Sequence, residues 1–395
     1  MSQSAQIPVV VVGGSLNGLG VVRSLASAGI CVHLIEATRR CPAAWSRHCS
    51  LVLTTRLEGE PLVECLEQLS AKLGIRAVLL LTDDPAVRTV AAQRERLDPL
   101  YCIDLPDKQW VEMLGDKIAF QSWAEQQGLA VPRSRALHDA ADLDQLDELA
   151  PPLVIKPSDK RLVLAGLVER AVRVESIDEA RKVASSLLQR APALIAQEWI
   201  EGADSDIYFT LFCADAQGGA AAIFPGRKLV CAPPAVGSTA VCAAAPELAE
   251  ELSTLTHEFL GRVVYRGLGS LEFKRDSRTG RLIVVEPTVG RTDWQEEIAT
   301  LCGLNLPALA YQIALGHAPR LPAMLSDTRP TWRSEWHFPL PAEIAARASV
   351  FDGYLRRNDP LPALYYYGYE RFARRVVRRV LRDARRFLAE ISGVL

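Results

Sequence analysis

The sequence has little net charge, no long hydrophobic run and no strong excess of basic residues. Its 395 residues include 45 Lys and Arg against 47 Asp and Glu, for a formal net charge of -2 at pH 7. A chain without a basic excess gives no sign of nucleic acid binding, and we predict no nucleic acid partner. Apolar runs such as VVVV and AVLLL have the length of buried strands and are too short to span a bilayer.

The sequence also gives no sign of a signal peptide or of a Cys or His cluster that would bind a metal. The N-terminal residues MSQSAQIP have no basic start and no apolar stretch, so we expect no signal peptide. The 9 Cys are scattered without a C-x-x-C pair, which argues against a disulfide framework and a cysteine zinc site. The 6 His are dispersed and show no H-x-x-x-H spacing, which argues against a histidine metal site. We therefore expect a protein of the reducing cytoplasm.

What the sequence does contain is a regular alternation of strand and helix patterns. With 49% hydrophobic and 23% charged residues, it has the composition of a soluble globular protein of two or three domains. In residues 1–105, fully apolar strands such as PVVVVGG and RAVLLLTDD alternate with helices, which predicts a parallel sheet covered on both faces. A helical pair in 106–132 ends at Gly128 and Pro132.

The second half of the chain is typical of α+β structure. Residues 133–204 contain the strands PPLVIKPSD, LVERAVRVES and ALIAQEWIEG with one helix, and 205–318 contain hairpin strands. The segment RDSRTGR predicts a hairpin turn, because its glycine can adopt a positive φ. Residues 319–395 are dotted with proline and end in a basic helix. The fold class predicted is thus α/β plus α+β.

The glycine-rich segment GGSLNGLG follows the first strand and suggests a dinucleotide-binding turn. No frame of it supplies G-x-G-x-x-G, although Glu36 ends the second strand, where a ribose-binding acid would lie. The alternative is that these glycines only form a tight turn that packs helix against strand. An NAD oxidoreductase is therefore a minor hypothesis, and it leaves the acids and lysines described next unexplained.

Two lysines and a strand-hinge segment suggest a nucleotide site. Lys117 lies on a helix before the second domain, and Lys156 ends an apolar strand. A lysine on a buried strand is costly to ionise unless an anion neutralises it, and a nucleotide phosphate would do so. The alternative for either lysine alone is an ammonium that reaches solvent from a strand end. The segment QEWIEGADSD can offer backbone groups to an adenine edge and an acid, Asp206 or Asp204, to a ribose.

Two glutamates on neighbouring strands suggest a metal site. Glu272 and Glu286 are joined by a short hairpin, and each is flanked by apolar residues. Paired carboxylates inside an apolar sheet are costly unless a cation lies between them, and hard oxygen ligands beside a phosphate favour Mg²⁺. The alternative is that both acids lie on the solvent face of the hairpin.

The order of these segments resembles that of the ATP-grasp superfamily of carboxylate–amine ligases. The motifs DK…GLAVP, VIKP, QEWIEG, GRK and LEFKRD…TGR…VVEPTVGR occur in the expected order, and the branch with D-aspartate ligase-like proteins and amino-acid ligases is most similar. The resemblance implies a Rossmann-like N-terminal domain (1–105), a helical linker (106–132), a small ATP-grasp lobe (133–204), a large lobe with the metal site (205–318) and a C-terminal extension (319–395).

The resemblance also implies roles for individual residues. The implied nucleotide-binding residues are Lys117 and Lys156 on phosphates, Gln197, Glu198, Trp199 and Ile200 as an adenine hinge, and Asp206 on the ribose. The implied catalytic residues are Arg227 and Lys228 on the γ-phosphate and Arg291 on a substrate carboxylate or the phosphoryl group. The implied Mg²⁺ ligands are Glu272, Glu286 and Thr288. Asn17 is a further candidate substrate contact.

Two features depart from the family pattern. Thr288 stands where the family usually has Asn, and the loop after Lys156, PSDKRLVLAGLVER, is poor in glycine, which leaves Lys160 or Arg161 to contact the phosphates. The resemblance as a whole implies an ATP- and Mg²⁺-dependent ligase that forms an amide through an acyl phosphate. The alternative is a non-catalytic nucleotide-binding or scaffold protein of the same fold.

The partner hypotheses are small-molecule carboxylate and amine substrates and a homodimer. The basic helix adds a contact with an anionic membrane surface or a polyanion through residues 371–388, where arginines occupy one helical face. The alternative, which we favour, is that this helix packs its apolar face on the body of the protein.

Overall fold

The structure is a computed structural model and describes residues 6–158, 168, 171–318, 330–345 and 349–373. The arginines at 374–386 of the predicted basic helix lie outside these residues, as do Lys160 and Arg161 of the loop after Lys156. None of the helices within these ranges is both long and apolar enough to cross a bilayer.

A five-stranded parallel sheet forms the first part of the chain. Its strand order is β3-β2-β1-β4-β5, which is a doubly wound arrangement. The strands are β1 (Val9–Val12), β2 (Val32–Glu36), β3 (Cys49–Leu53), β4 (Ala77–Leu81) and β5 (Tyr101–Ile103). All four valines of β1 are 0% exposed, which confirms that both faces of this sheet are covered.

A four-stranded antiparallel sheet follows, with the order β6-β9-β7-β8. Its strands are β6 (Ser134–Leu137), β7 (Leu153–Pro157), β8 (Val172–Val174) and β9 (Leu194–Glu198). This sheet has a hydrophobic core of its own, in which Leu153, Ile155 and Leu194 pack with the helix Ile177–Leu188. The four-stranded sheet is therefore a separate unit of packing.

The largest sheet has seven strands in the order β14-β13-β10-β11-β12-β15-β16, antiparallel except for the last pair. Its strands are β10 (Ile207–Ala214), β11 (Ala220–Ala232), β12 (Ser238–Ala244), β13 (Gly267–Arg275), β14 (Leu282–Val289), β15 (Thr331–Arg333) and β16 (Val350–Asp352). Gly280 in the β13–β14 turn has φ +71°, as the hairpin prediction required. Strands β15 and β16 lie in the predicted C-terminal extension (319–395), so this extension contributes to the sheet.

Helices cover the sheets and join the units. They are Leu16–Ser27, Gly59–Leu73, Asp84–Ala92, Arg94–Leu97, Lys108–Gly115, Lys117–Gln126, Ile177–Leu188, Ala249–Leu260, Glu297–Leu301, Leu306–Ala314, Ala342–Ala345 and Leu361–Ala363, with a π-helical turn at Leu364–Glu370. The five-stranded and seven-stranded sheets share two hydrophobic cores: Val10 and Phe212 belong to one, and Val9 and Phe209 to the other. Successive residues of one strand therefore enter different cores.

Candidate functional site

A cavity lies between the four-stranded and the seven-stranded sheets. It encloses about 790 Å³ of empty space, open solvent at its mouth included. Eight of the thirteen residues predicted for the site line it: Lys117, Lys156, Gln197, Glu198, Trp199, Ile200, Glu272 and Glu286. The other lining residues are Pro132, Val154, Ala171, Ile207, Ala235, Val236, Gly237, Lys274 and Val285.

The two predicted phosphate-binding lysines lie in this cavity and are held by polar contacts. Lys156, near the end of β7, donates from Nζ to Gln197 Oε1 at 3.0 Å. Gln197 in turn donates to Gln121 Oε1 at 2.9 Å, and Gln121 donates to the Pro132 carbonyl at 2.6 Å. Lys117 donates to the Pro157 carbonyl at 3.3 Å. The two ammonium groups are thereby oriented before any ligand binds.

The hinge segment leaves one backbone donor for a ligand. The N–H groups of Glu198 and Trp199 donate to the carbonyls of Arg133 and Pro152, at 2.9 and 2.8 Å. The Glu198 carboxylate accepts from the Ala150 N–H at 2.9 Å, so this side chain stabilises the local backbone. No acceptor for the Ile200 N–H is found in the described part of the chain. Ile200 is therefore the hinge residue best placed to donate to a nucleobase.

Glu272 and Glu286 are direct neighbours across β13 and β14. Directly paired residues of antiparallel strands lie on the same face, where like charges repel unless they are compensated. Lys228 of β11 compensates Glu272, because its Nζ donates to Glu272 Oε2. Burial by itself would lower the pKa of Lys228, but the charge and hydrogen bond of Glu272 outweigh it, and the pKa is raised. Lys228 is thus a buried cation behind the acid pair.

The acid pair fits a magnesium ion better than the predicted set of three ligands does. Mg²⁺ in nucleotide sites is usually held by one or two carboxylates together with phosphate oxygens, which suits Glu272 and Glu286. Among the described residues there is no group of three or more His, Cys, Asp or Glu side chains that could hold a metal ion. Phosphate oxygens of a nucleotide would have to supply further ligands. The Thr288 hydroxyl donates to Asp293 Oδ1 at 2.8 Å and is already engaged there.

Arg227 and Asp206 were predicted for the site, but the structure places both outside the cavity lining. Arg227 and Lys228 are successive strand residues and so lie on opposite faces of the sheet. The Arg227 guanidinium contacts Glu247 at 3.6 Å and donates to the Ser205 carbonyl. Asp206 accepts from the Ala203 N–H at 2.8 Å and stabilises a short helical turn.

Arg291 lies at the junction with the N-terminal sheet. Its Nε donates to Asp84 Oδ1, and its Nη1 donates to the Thr292 carbonyl at 3.0 Å. Burial alone would lower the pKa of the Arg291 guanidinium, but Asp84 outweighs this effect, and the pKa is raised. Arg291 therefore links the end of β14 to the start of the helix Asp84–Ala92 and does not line the cavity.

The structure also shows a residue that the sequence analysis missed. Lys274 lines the cavity, is 6% exposed and places its Nζ 4.5 Å from the centre of the Trp199 ring. Burial lowers the pKa of Lys274, against the opposing effect of nearby acids. The signal was present in LEFKRD, because a lysine two residues after Glu272 on a strand shares its face.

The glycine-rich turn near the N-terminus is engaged with the protein itself. The Glu36 carboxylate accepts from the backbone N–H groups of Gly14, at 2.6 Å, and Ala37, at 2.7 Å. A Cβ on Gly18 would lie 2.0 Å from the Gly13 carbonyl oxygen, so close packing requires glycine there. The Asn17 side chain is buried and donates to the Thr292 carbonyl. The arrangement matches the close-packed turn and leaves Glu36 without the free carboxylate that a ribose would need.

Sequence comparison gives no match to a family model and none to a curated protein, whereas solved structures with similar folds are numerous. N5-carboxyaminoimidazole ribonucleotide synthetase from Thermus thermophilus superposes with a TM-score of 0.64 at 14% identity, over 82% of this chain and 82% of that one. N5-carboxyaminoimidazole synthetase from Staphylococcus aureus gives 0.63 at 13% identity, over 82% and 81%. L-amino acid ligase from Bacillus licheniformis gives 0.58 at 19% identity, over 78% and 74%.

Proposed function

We propose that this chain, which has the fold of the ATP-grasp enzymes, is an ATP-dependent ligase that joins a carboxylate to an amine. The observation that carries the proposal is one cavity that combines oriented lysines, a free hinge N–H and a carboxylate pair. Solved neighbours support a nucleotide ligand, since three of them are described as ADP complexes and one as a MgADP complex.

Each group has a role in holding the nucleotide. The Ile200 N–H would donate to the adenine edge, and Lys117 and Lys156 would neutralise phosphate oxygens. Glu272 and Glu286 would hold Mg²⁺, which supplies charge neutralisation at the phosphates when bound. Lys228 keeps Glu272 in place and adds positive charge behind it. This arrangement stabilises developing charge by preorganised groups, which is the main source of catalysis in phosphoryl transfer.

The reaction proceeds in two steps under this proposal. A carboxylate oxygen attacks the γ-phosphorus of ATP, the bond from that phosphorus to the ADP oxygen breaks, and an acyl phosphate forms. The amine nitrogen then attacks the acyl carbon, the carbon–oxygen bond to phosphate breaks, and the nitrogen loses a proton. The products are an amide, ADP, phosphate and a proton. The protein holds the reacting atoms close together and correctly oriented, and no protein nucleophile is required.

The test is release of ADP from MgATP in the presence of single amino acids, with and without amine partners, followed by mass analysis of the products. We expect ADP release that depends on both substrates in the wild-type protein. Glu286→Gln should reduce this rate by at least about 100-fold, because a carboxylate beside the phosphates is lost. Glu247→Gln, which alters an acid outside the cavity, serves as the matched control. Full activity in Glu286→Gln would refute the assignment of the acid pair.

A second candidate is a non-catalytic nucleotide-binding protein of the same fold. It is favoured by the engagement of Thr288 with Asp293 and of Glu272 with Lys228, which leaves fewer groups for a metal. Isothermal titration with MgATP distinguishes the two functions. Tight MgATP binding without ADP release in any amino-acid mixture would favour this second candidate.

A further inference from the structure

At the hinge end of the cavity, the ammonium of Lys274 has no oxygen partner among the described residues. Lys274 is 6% exposed, and the Trp199 ring is its observed partner, with Nζ 4.5 Å from the ring centre. Within the described residues no hydrogen bond or ion pair to this ammonium is found. The Trp199 indole N–H is likewise buried with no acceptor in the described part of the chain. Two donors at one end of the cavity therefore lack acceptors.

The nearby carboxylates are engaged with backbone groups. Asp204 accepts from the N–H groups of Cys231 and Ala235, both at 2.8 Å, and Asp206 accepts from Ala203. The other lysines named above differ from Lys274, because Lys228 has Glu272 and Lys156 has Gln197 as oxygen partners. The Lys274 ammonium therefore keeps hydrogen-bond donors that no oxygen of the described residues accepts. These donors are available to a ligand in the cavity that offers acceptor atoms to Lys274.

The position of Lys274 along β13 indicates which part of a ligand it would meet. Glu272 and Lys274 share one face of the strand and are about 7 Å apart along it, at two residues of about 3.3 Å each. Glu272 lies with the acid pair, where phosphates and a metal would bind. Lys274 contacts the ring of Trp199, the residue before Ile200 in the hinge, and pairs with Ile207 of β10. Lys274 therefore lies beyond the acid pair, at the end of the cavity that would receive the nucleoside.

We propose that Lys274 is a specificity-determining residue that donates a hydrogen bond to acceptor atoms on the base or sugar of the bound nucleotide. This inference rests on the proposed nucleotide-binding function of the same cavity. It replaces Asp206 as the side chain that holds the nucleoside half, because Asp206 does not line the cavity.

The experiment measures binding of two probes to the full-length protein by isothermal titration. MgADP carries a nucleoside, whereas magnesium tripolyphosphate offers phosphates alone. Lys274→Met removes the donor and keeps an apolar stem of similar length, Lys274→Arg keeps charge and donors, and Lys72→Met alters an exposed lysine as the control. We expect Lys274→Met to weaken MgADP binding by about 10-fold or more, and tripolyphosphate binding by less than about 2-fold. Lys274→Arg should stay within about 3-fold of wild type for MgADP.

A thermal unfolding scan of the ligand-free proteins separates binding from folding. Since Lys274 makes no hydrogen bond or ion pair within the described residues, Lys274→Met should not lower the unfolding midpoint below that of wild type. Wild-type MgADP affinity in Lys274→Met would overturn the inference and leave the proposed function intact. Equal losses for both probes would also overturn it, because Lys274 would then bind phosphate. Absence of MgADP binding by the wild-type protein would refute the proposed function, and this inference with it.

Discussion

The buried pair of Lys228 and Glu272 sets the charge balance of the acid pair. Lys228 is 4% exposed, so its ammonium depends on Glu272 for compensation, whereas the Glu272 carboxylate reaches the cavity. Substitution of the two partners therefore has different consequences. Loss of Glu272 leaves the buried Lys228 ammonium without a counter-charge, whereas loss of Lys228 leaves a carboxylate that other cations can reach. This asymmetry leads to a test of the metal site that does not depend on activity.

Glu272→Gln should destabilise the ligand-free protein by about 2–3 kcal/mol, more than Lys228→Met does, because it leaves a buried ammonium without a counter-charge. Denaturant unfolding of both variants measures this difference. Added Mg²⁺ should raise the unfolding midpoint of Lys228→Met more than that of wild type, since the ammonium no longer competes with the ion for Glu272. No difference in the Mg²⁺ response would argue against a metal at Glu272 and Glu286.

Glu296 is a second residue whose ionisation bears on stability. It is 0% exposed, and it accepts hydrogen bonds from Ser24, at 3.2 Å, and Thr300, at 3.4 Å. Burial, with the neighbouring charge of Glu297, raises the pKa of Glu296 from 4.5 to about 8. The folded protein therefore binds a proton that the unfolded chain releases at neutral pH.

Because the pKa is higher in the folded state, this stabilising contribution is complete below about pH 4.5 and is lost as the pH rises toward about 8. Glu296→Gln keeps a neutral side chain of the same shape, so its stability relative to wild type should increase by about 1–3 kcal/mol from pH 5 to pH 8. Unfolding midpoints across this range measure the effect. Glu258→Gln on an exposed helical position is the control. A difference in unfolding midpoint between Glu296→Gln and wild type that does not change with pH would contradict the raised pKa of Glu296.

At the scale of elements, the first strand–turn–helix unit is built for close packing. Gly13 has φ +100°, and the turn brings the helix at Leu16–Ser27 against β1 so closely that Gly18 contacts the Gly13 carbonyl. A backbone oxygen cannot move aside as a flexible side chain can. The glycines of this unit thus serve packing between strand and helix, and the cavity proposed for the nucleotide lies elsewhere in the chain.

Gly18→Ala should therefore destabilise the protein by about 2–3 kcal/mol, because its methyl group would overlap a backbone carbonyl. MgADP affinity of the folded variant should stay at the wild-type value. Gly115→Ala is the matched control, since a methyl group there meets nothing within 4 Å and should be neutral or slightly stabilising. Equal unfolding midpoints for Gly18→Ala and wild type would show that the turn can relax.

At the scale of the whole molecule, the cavity joins two units that are packed differently. The four-stranded sheet has its own core, whereas the five-stranded and seven-stranded sheets share two cores. A ligand in the cavity would contact Lys156 and Ile200 on one side and Glu272 and Glu286 on the other. Ligand binding is thus expected to couple the separate unit to the rest.

We expect MgADP to slow amide hydrogen exchange in β7, in β9 and in the cavity-lining residues 235–237, because these segments border the cavity. Exchange in the helix Leu16–Ser27, which lies in a core away from the cavity, should not change. Exchange measured by mass spectrometry with and without MgADP makes the comparison. Protection confined to that helix would place the ligand near the glycine-rich turn and contradict the cavity.

Much of the fold was predictable from the sequence because its signals are local. The apolar strand of β1, the hairpin turn at Gly280 and the helical pair before Pro132 were predicted from periodicity and turn chemistry, and the structure confirms them. The ATP-grasp resemblance is confirmed at the level of fold. Strand β12 and the helix Ala249–Leu260 were not predicted. The helix did carry local signals, since Glu250 and Glu251 lie in its first turn and Gly261 follows its last residue.

The sequence by itself determined which segments carry the lysines, the hinge and the acid pair, because those motifs are short and ordered along the chain. Only the tertiary structure decided which side chains face the cavity. Strand alternation separates Arg227 from Lys228, but the packing of the sheets selects the face that turns inward. Arg291 contacts Asp84 across 207 positions of sequence, and Lys274 of β13 contacts Trp199, which follows β9 of a different sheet. Such contacts depend on how distant elements pack, which local sequence patterns do not encode.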